Sequence, residues 1–146
     1  MSESELSIVI KRPIEEAFAV LANLENDVKW HKELVESRNT SGGSNGVGAT
    51  FLFAGEFLGR RMETLWEVTE YEPNRIAAWK TVSGPLRMKF WRTFERVESG
   101  TRFAFRYEGE ARGFLKLAWP LITRIARRQH EGNMGKLKEL MEAHAL

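Results

Sequence analysis

The 146-residue chain carries three histidines, His31, His130 and His144, and no cysteine. Without cysteine there is no disulfide framework, no thiolate-held zinc or iron–sulfur cluster and no thiol nucleophile. Gly42-Gly43-Ser44-Asn45-Gly46 spells G-x-S-x-G. In hydrolases that serine sits on a turn leading from a strand into a helix, whereas here an extended stretch follows, so the segment reads as a flexible connection. His130-Glu131 lacks the second histidine of H-E-x-x-H, and no metal site is expected. General acid–base chemistry needs a titratable group oriented by a second one, and the spacing leaves each histidine isolated.

The aromatic residues carry more information. Phe51, Phe53, Trp66, Trp79, Phe90, Phe105 and Tyr107 all fall in stretches of alternating polarity. They pack a core, or they line a pocket within one. Arg92 is in phase with Met88, Phe90 and Phe94 and should share their inward face, where an unpaired charge is costly. Its partner is an acidic side chain, water at a cavity mouth, or a ligand carboxylate or phenolate. Thr64, in phase with Trp66, offers a hydroxyl. Trp30 and His31 are placed at the entrance, and Ile122 on the opposing helix completes the ligand-facing set.

The elements that must position these groups follow from periodicity. Residues 7–11 read as a strand. Pro13, tolerated at a first helical position, opens a helix whose Ile14, Ala17, Phe18 and Leu21 recur at i, i+3, i+4, i+7. Asn23 caps a second short helix to about His31, and residues 34–38 are extended. From Val47 to Gly109 the period is two and turn residues punctuate it, which predicts five antiparallel strands; 76–82 and 86–97 are two of them. Ala49, Phe51, Phe53 and Phe57 share one face, as do Phe103, Phe105 and Tyr107, while Glu67 and Arg106 fall on the other parity. Phe114 to Ala145 returns to helical spacing through Leu115, Ala118, Ile122, Ile125, Gln129, Leu137 and Leu140, with Pro120 in its first turns and Gly132 and Gly135 loosening it. Arg124, Arg127 and Arg128 cluster on this helix, as a solvated face or as a site for an anionic membrane or headgroup.

One domain spanning 1–146 suits this length. With 22 basic against 20 acidic residues the net charge is only +2, too little for a nucleic-acid-binding protein. Glu3 and Glu5 stand where a signal peptide would be basic, and the longest apolar run, 117–122, is far below the ~18 residues of a membrane span. A cytoplasmic protein without integral membrane association is expected.

Four stretches resemble the START-like helix-grip (SRPBCC) superfamily, and within it the bacterial polyketide cyclase/dehydrase and lipid-transport-like family. They are IVIKRPIEEAFAVLANLENDVKWHKEL with Pro13, Phe18 and Trp30; Gly46-Val47-Gly48; Trp66-Glu67-Val68 leading to Tyr71-Glu72-Pro73; and Phe94 followed by Gly100-Thr101. The C-terminal PLITRIARRQHEGNMGKLKELME is similar to the family's long helix. The resemblance implies an α+β helix-grip fold: strand, two short helices and six strands forming a curved antiparallel sheet around a long C-terminal helix, with an apolar cavity between. It implies a carrier of a small hydrophobic or aromatic molecule without cofactor, or alternatively a cyclase/dehydratase using Arg92 with His31 or Tyr107; a protein-interaction module is a third class.

Overall fold

A computed structural model describes residues 2–43, 45–57, 59–84, 86–110 and 115–146. Ser44 of the G-x-S-x-G sequence, Pro85 and Phe114 lie outside the described residues, as do the side chains of Phe57 and Leu115. The chain runs β1 (Ser2–Ile10), α1 (Ile14–Leu21), a 3-10 helix (Leu24–Lys29), β2 (Leu34–Asn39), β3 (Thr50–Phe57), β4 (Arg60–Glu72), β5 (Ile76–Ser83), β6 (Arg87–Val97), β7 (Gly100–Glu110) and α2 (Leu115–Glu142). The strands form one antiparallel sheet in the order β1-β7-β6-β5-β4-β3-β2. β2 to β7 are thus a chain of sequential neighbours, and the first strand closes onto the last. This is the expected helix-grip arrangement, a curved half-barrel with a long C-terminal helix.

Alternation sorts the sheet's two faces. Phe51 pairs with Trp66, Trp79 with Phe90, and Phe90 with Tyr107, so the aromatic residues of successive strands lie side by side on the inner face. On the outer face the Arg106 guanidinium lies 4.0 Å from the centre of the Trp91 ring. The turn from β6 to β7 depends on Gly100 at φ +151°, since a Cβ there would lie 2.3 Å from the Ile10 carbonyl oxygen. That contact fixes the turn against the end of β1, where the Thr101 hydroxyl donates to the Arg12 carbonyl.

Two local expectations need correction. Pro13 is not the first helical residue but the extended N-cap (φ −60°, ψ 149°), so α1 begins at Ile14. Along α2 the buried stripe ends in Asn133, Met134, Leu137 and Met141, leaving Leu140 half-buried, because 3.6 residues per turn carry the stripe one position onward by the last turns. Gly132 and Gly135 leave α2 continuous, and nothing approaches where their Cβ atoms would be.

The sheet's edges are guarded. At one edge the Lys138 ammonium on α2 donates to the Val9 carbonyl, and the Lys11 amide donates to Glu142 at 3.0 Å. At the other, β2 is six residues long, breaks register between Leu34 and Glu36, and sets Glu36 between Arg38 (2.9 Å) and Arg61 (2.8 Å). No helix among the described residues is long and apolar enough to cross a membrane.

Candidate functional site

The 3-10 helix supplies the site's floor. Its three-residue turn puts Leu24, Asp27 and Trp30 on one face, and all three are buried. Asn23 caps it by accepting from the Glu25 amide at 3.1 Å. Asp27 then meets Arg92 of β6 in a two-pronged ion pair, Nη1 to Oδ1 at 3.0 Å and Nη2 to Oδ2 at 2.5 Å, while Nη1 also donates to the Leu21 carbonyl at 2.8 Å. The pair is shut off from solvent: Arg92 is 1% and Asp27 0% exposed. Of the partners open to Arg92 in the sequence, the acidic side chain is the one present. Burial pushes the Asp27 carboxyl above its ordinary range, with Arg92 pulling the other way.

Aromatic rings enclose the guanidinium. Its carbon lies 5.2 Å from the centre of Trp30, 5.3 Å from Phe90, 5.4 Å from Trp79 and 5.8 Å from Phe105. Trp30 is therefore part of the floor rather than the entrance. Trp66 stands edge-on to Phe90 at 4.7 Å and to Phe53 at 6.1 Å. Phe51 is completely buried, Thr64 sits half-buried opposite Phe53, and Ile122 is half-buried on α2.

Two of the three histidines are not isolated. His31 and His130 lie 6.3 Å apart, centre to centre, and the His130 ring is 4.7 Å from Tyr107 and 5.0 Å from Phe105. Sequence spacing could not show this, because α2 folds back over the sheet and brings together residues about a hundred positions apart. Asn133, one turn beyond His130, joins the helix to the floor: it donates to Glu33 at 3.0 Å, accepts from the Lys32 amide at 3.2 Å and lies 3.4 Å from His31 Nδ1. With Nδ1 facing the Asn133 amide, the His31 proton belongs on Nε2, which points at the Asp27 carboxylate from 3.6 Å, beyond hydrogen-bond length. Burial, then the nearby Arg92 charge, drives His31 down to about 3; burial, then the His31 and Arg92 charges, does the same to His130. Both rings are neutral at pH 7.

Six enclosed polar atoms among the described residues have no hydrogen-bond partner: Nε1 of Trp30, Trp66 and Trp79, His31 Nε2, Arg92 Nε and the Tyr107 hydroxyl. All belong to this one layer of side chains. Buried polar groups are nearly always satisfied, so their concentration here sets the layer apart from ordinary core.

α2 meets the layer unevenly. One stripe of the helix, Ala118, Trp119, Ile122, Ile125, Ala126, Gln129 and His130, is only half-buried, and its continuation through Asn133, Met134, Leu137 and Met141 is buried. Trp119 props the first turns on β7, where a Cβ on Gly109 would lie 3.0 Å from the indole. On the inner face of the sheet Phe53, Thr64 and Met88 are half-buried too, Met88 lying with Trp119 around Gly109.

The sequence model of the family described as polyketide cyclase/dehydrase and lipid transport matches residues 1–142. No curated protein is found as a sequence relative. Among solved structures, protein TTHA0849 of Thermus thermophilus superposes with a TM-score of 0.84 at 18% identity, covering 99% of this chain and 100% of its own. A START superfamily protein from Mycobacterium smegmatis gives 0.79 at 12% identity over 97% of each chain. The Zhui aromatase/cyclase from Streptomyces sp. R1128 gives 0.78 at 11% identity over 99% and 96%.

Proposed function

The chain belongs to the polyketide cyclase/dehydrase and lipid transport family, and from that premise we propose that it binds and carries a small hydrophobic or aromatic molecule between the sheet's inner face and the first half of α2. The observation that carries this reading is the graded burial of α2. Apolar side chains on both sides are half-buried along its first half, while the same helical stripe is sealed beyond His130. A ligand there would complete the burial of Ile122, Phe53 and Met88 and rest its polar end near Tyr107, His130 and His31. That end is uncharged. Arg92 is already neutralised by Asp27, both histidines are neutral at pH 7, and an anion would enter an apolar layer with no free cation among the described residues to balance it.

Native mass spectrometry of protein purified without detergent tests the reading. A retained small molecule, displaced by hydrophobic compounds that also raise the melting temperature, is expected. A bare chain whose melting temperature is unmoved by a panel of neutral hydrophobic and aromatic ligands would sink it.

A second reading, a cyclase/dehydratase-type enzyme, is favoured by one observation, the approach of His130 to Tyr107 at 4.7 Å. A general base works best with a pKa near the operating pH, and a histidine held down at about 3 has little drive to take a proton at pH 7. Carriage is therefore the better account. Conversion of the retained molecule faster than in buffer, abolished by His130→Ala or Tyr107→Phe, would reverse the order.

A further inference from the structure

The outer face of the first half of α2 carries a feature that ligand carriage does not use. Leu117 is 88% exposed and Leu121 59%, the two most exposed leucines among the described residues. At 100° per residue they share one line along the helix with Arg124 and Arg128, while Lys116 and Arg127 flank it. All four of these basic residues are exposed. Arg127 reaches Glu131 only at 4.0 Å, and Arg124 and Arg128 form no ion pair or hydrogen bond among the described residues. The order along the axis is apolar first, basic after: Arg124 lies about 5 Å and Arg128 about 10 Å beyond Leu121.

We propose that this end of α2 is a peripheral docking surface for an anionic lipid bilayer, with Leu117 and Leu121 entering the interface and Arg124 and Arg128 meeting the lipid phosphates. Apolar side chains of interfacial helices sink below the headgroups, and with the first turns of α2 tilted into the interface the two arginines, farther along the axis, stay at the level of the phosphates. Two leucines form too small an apolar patch for a protein partner, since a stable interface buries about 800 Å² on each side. A lipid surface needs no such area, because each cation near it adds its own attraction. The face lies opposite the half-buried stripe, so a docked protein keeps the helix's ligand-facing side turned to the sheet.

The experiment is vesicle flotation of the full chain with phosphatidylcholine alone and with phosphatidylcholine mixed with phosphatidylglycerol, at low and at high salt. Binding at least ~10-fold stronger to the anionic vesicles and weakened by salt is expected. Arg124→Glu with Arg128→Glu should lose roughly 30-fold or more, two cations at about a factor of five each. Leu117→Ser with Leu121→Ser should lose about as much, with the melting temperature unchanged in both double variants because all four side chains are exposed. Equal binding to both vesicle types, binding to neither, or binding indifferent to these substitutions overturns the proposal. A dimer in light scattering that Leu117→Ser with Leu121→Ser dissolves, without vesicle binding, would assign the face to a second copy of the chain instead.

Discussion

Asp27 is the counter-ion that lets a guanidinium sit inside a cage of four rings. Replacing one member of a buried pair leaves the other uncompensated, so Asp27→Ala should cost about 3–5 kcal/mol in urea unfolding. Removing both charges is a different experiment. Asp27→Leu with Arg92→Leu keeps the site apolar and should recover most of that loss, and a double variant no more stable than Asp27→Ala would show that the pair itself, rather than the absence of an orphan, holds the floor. The neighbouring histidines set the response to acid. Each is neutral in the fold with its pKa held at about 3, whereas in the unfolded chain it takes a proton near 6.5. Between those values the unfolded state binds more protons, so this contribution is intact above pH 6.5 and lost as pH falls toward 3. At pH 5 the loss is roughly 2 kcal/mol per histidine, offset in part by Asp27, whose raised carboxyl pKa works in the opposite sense above pH 3.8. Urea midpoints at pH 7 and pH 5 should show the fall, and His130→Gln should flatten it; an unchanged midpoint in the wild type would mean the rings are charged in the fold.

α2 divides into two lengths by burial. Leu137 is completely buried, and Leu137→Ala should destabilise by about 2–5 kcal/mol. Ile122, half-buried on the same stripe, should cost under about 1 kcal/mol on truncation to Ala yet weaken ligand binding. Equal costs at the two positions would contradict the graded burial. The two glycines between these lengths have no packing reason to be glycine, so Gly132→Ala and Gly135→Ala should each stabilise by about 0.5–1 kcal/mol, read as a rise in urea midpoint. How much of this was legible in the sequence follows from the range of the signal. Period two placed Trp66, Phe105 and Arg92 inward, and period 3.6 placed Ile122 and Leu137 on one stripe. Asp27 was missed because its face is written in threes, Leu24, Asp27, Trp30, over too few residues to stand out from a loop. His130 and His31 were missed as a pair because they meet only through the return of the last helix over the sheet, and residue spacing carries no trace of that.

At the scale of the whole molecule, the chain's two ends are tied together. The Arg12 guanidinium donates to the Met141 carbonyl at 2.7 Å and the Leu146 carbonyl at 3.2 Å, so the helix that covers the sheet is also fastened where α1 begins. The same closure has a consequence for life at high concentration. An open seven-stranded sheet offers two rows of backbone groups on which another chain could add a strand, and unprotected rows of that kind seed fibrils. Here the end of one row is covered where Lys138 meets the Val9 carbonyl, and the other row is short, kinked and flanked by Glu36, Arg38 and Arg61. The borders of the sheet thus work against strand addition, and Glu36→Val with Arg38→Val should leave the chain folded while bringing on thioflavin-positive aggregation that the parent chain resists.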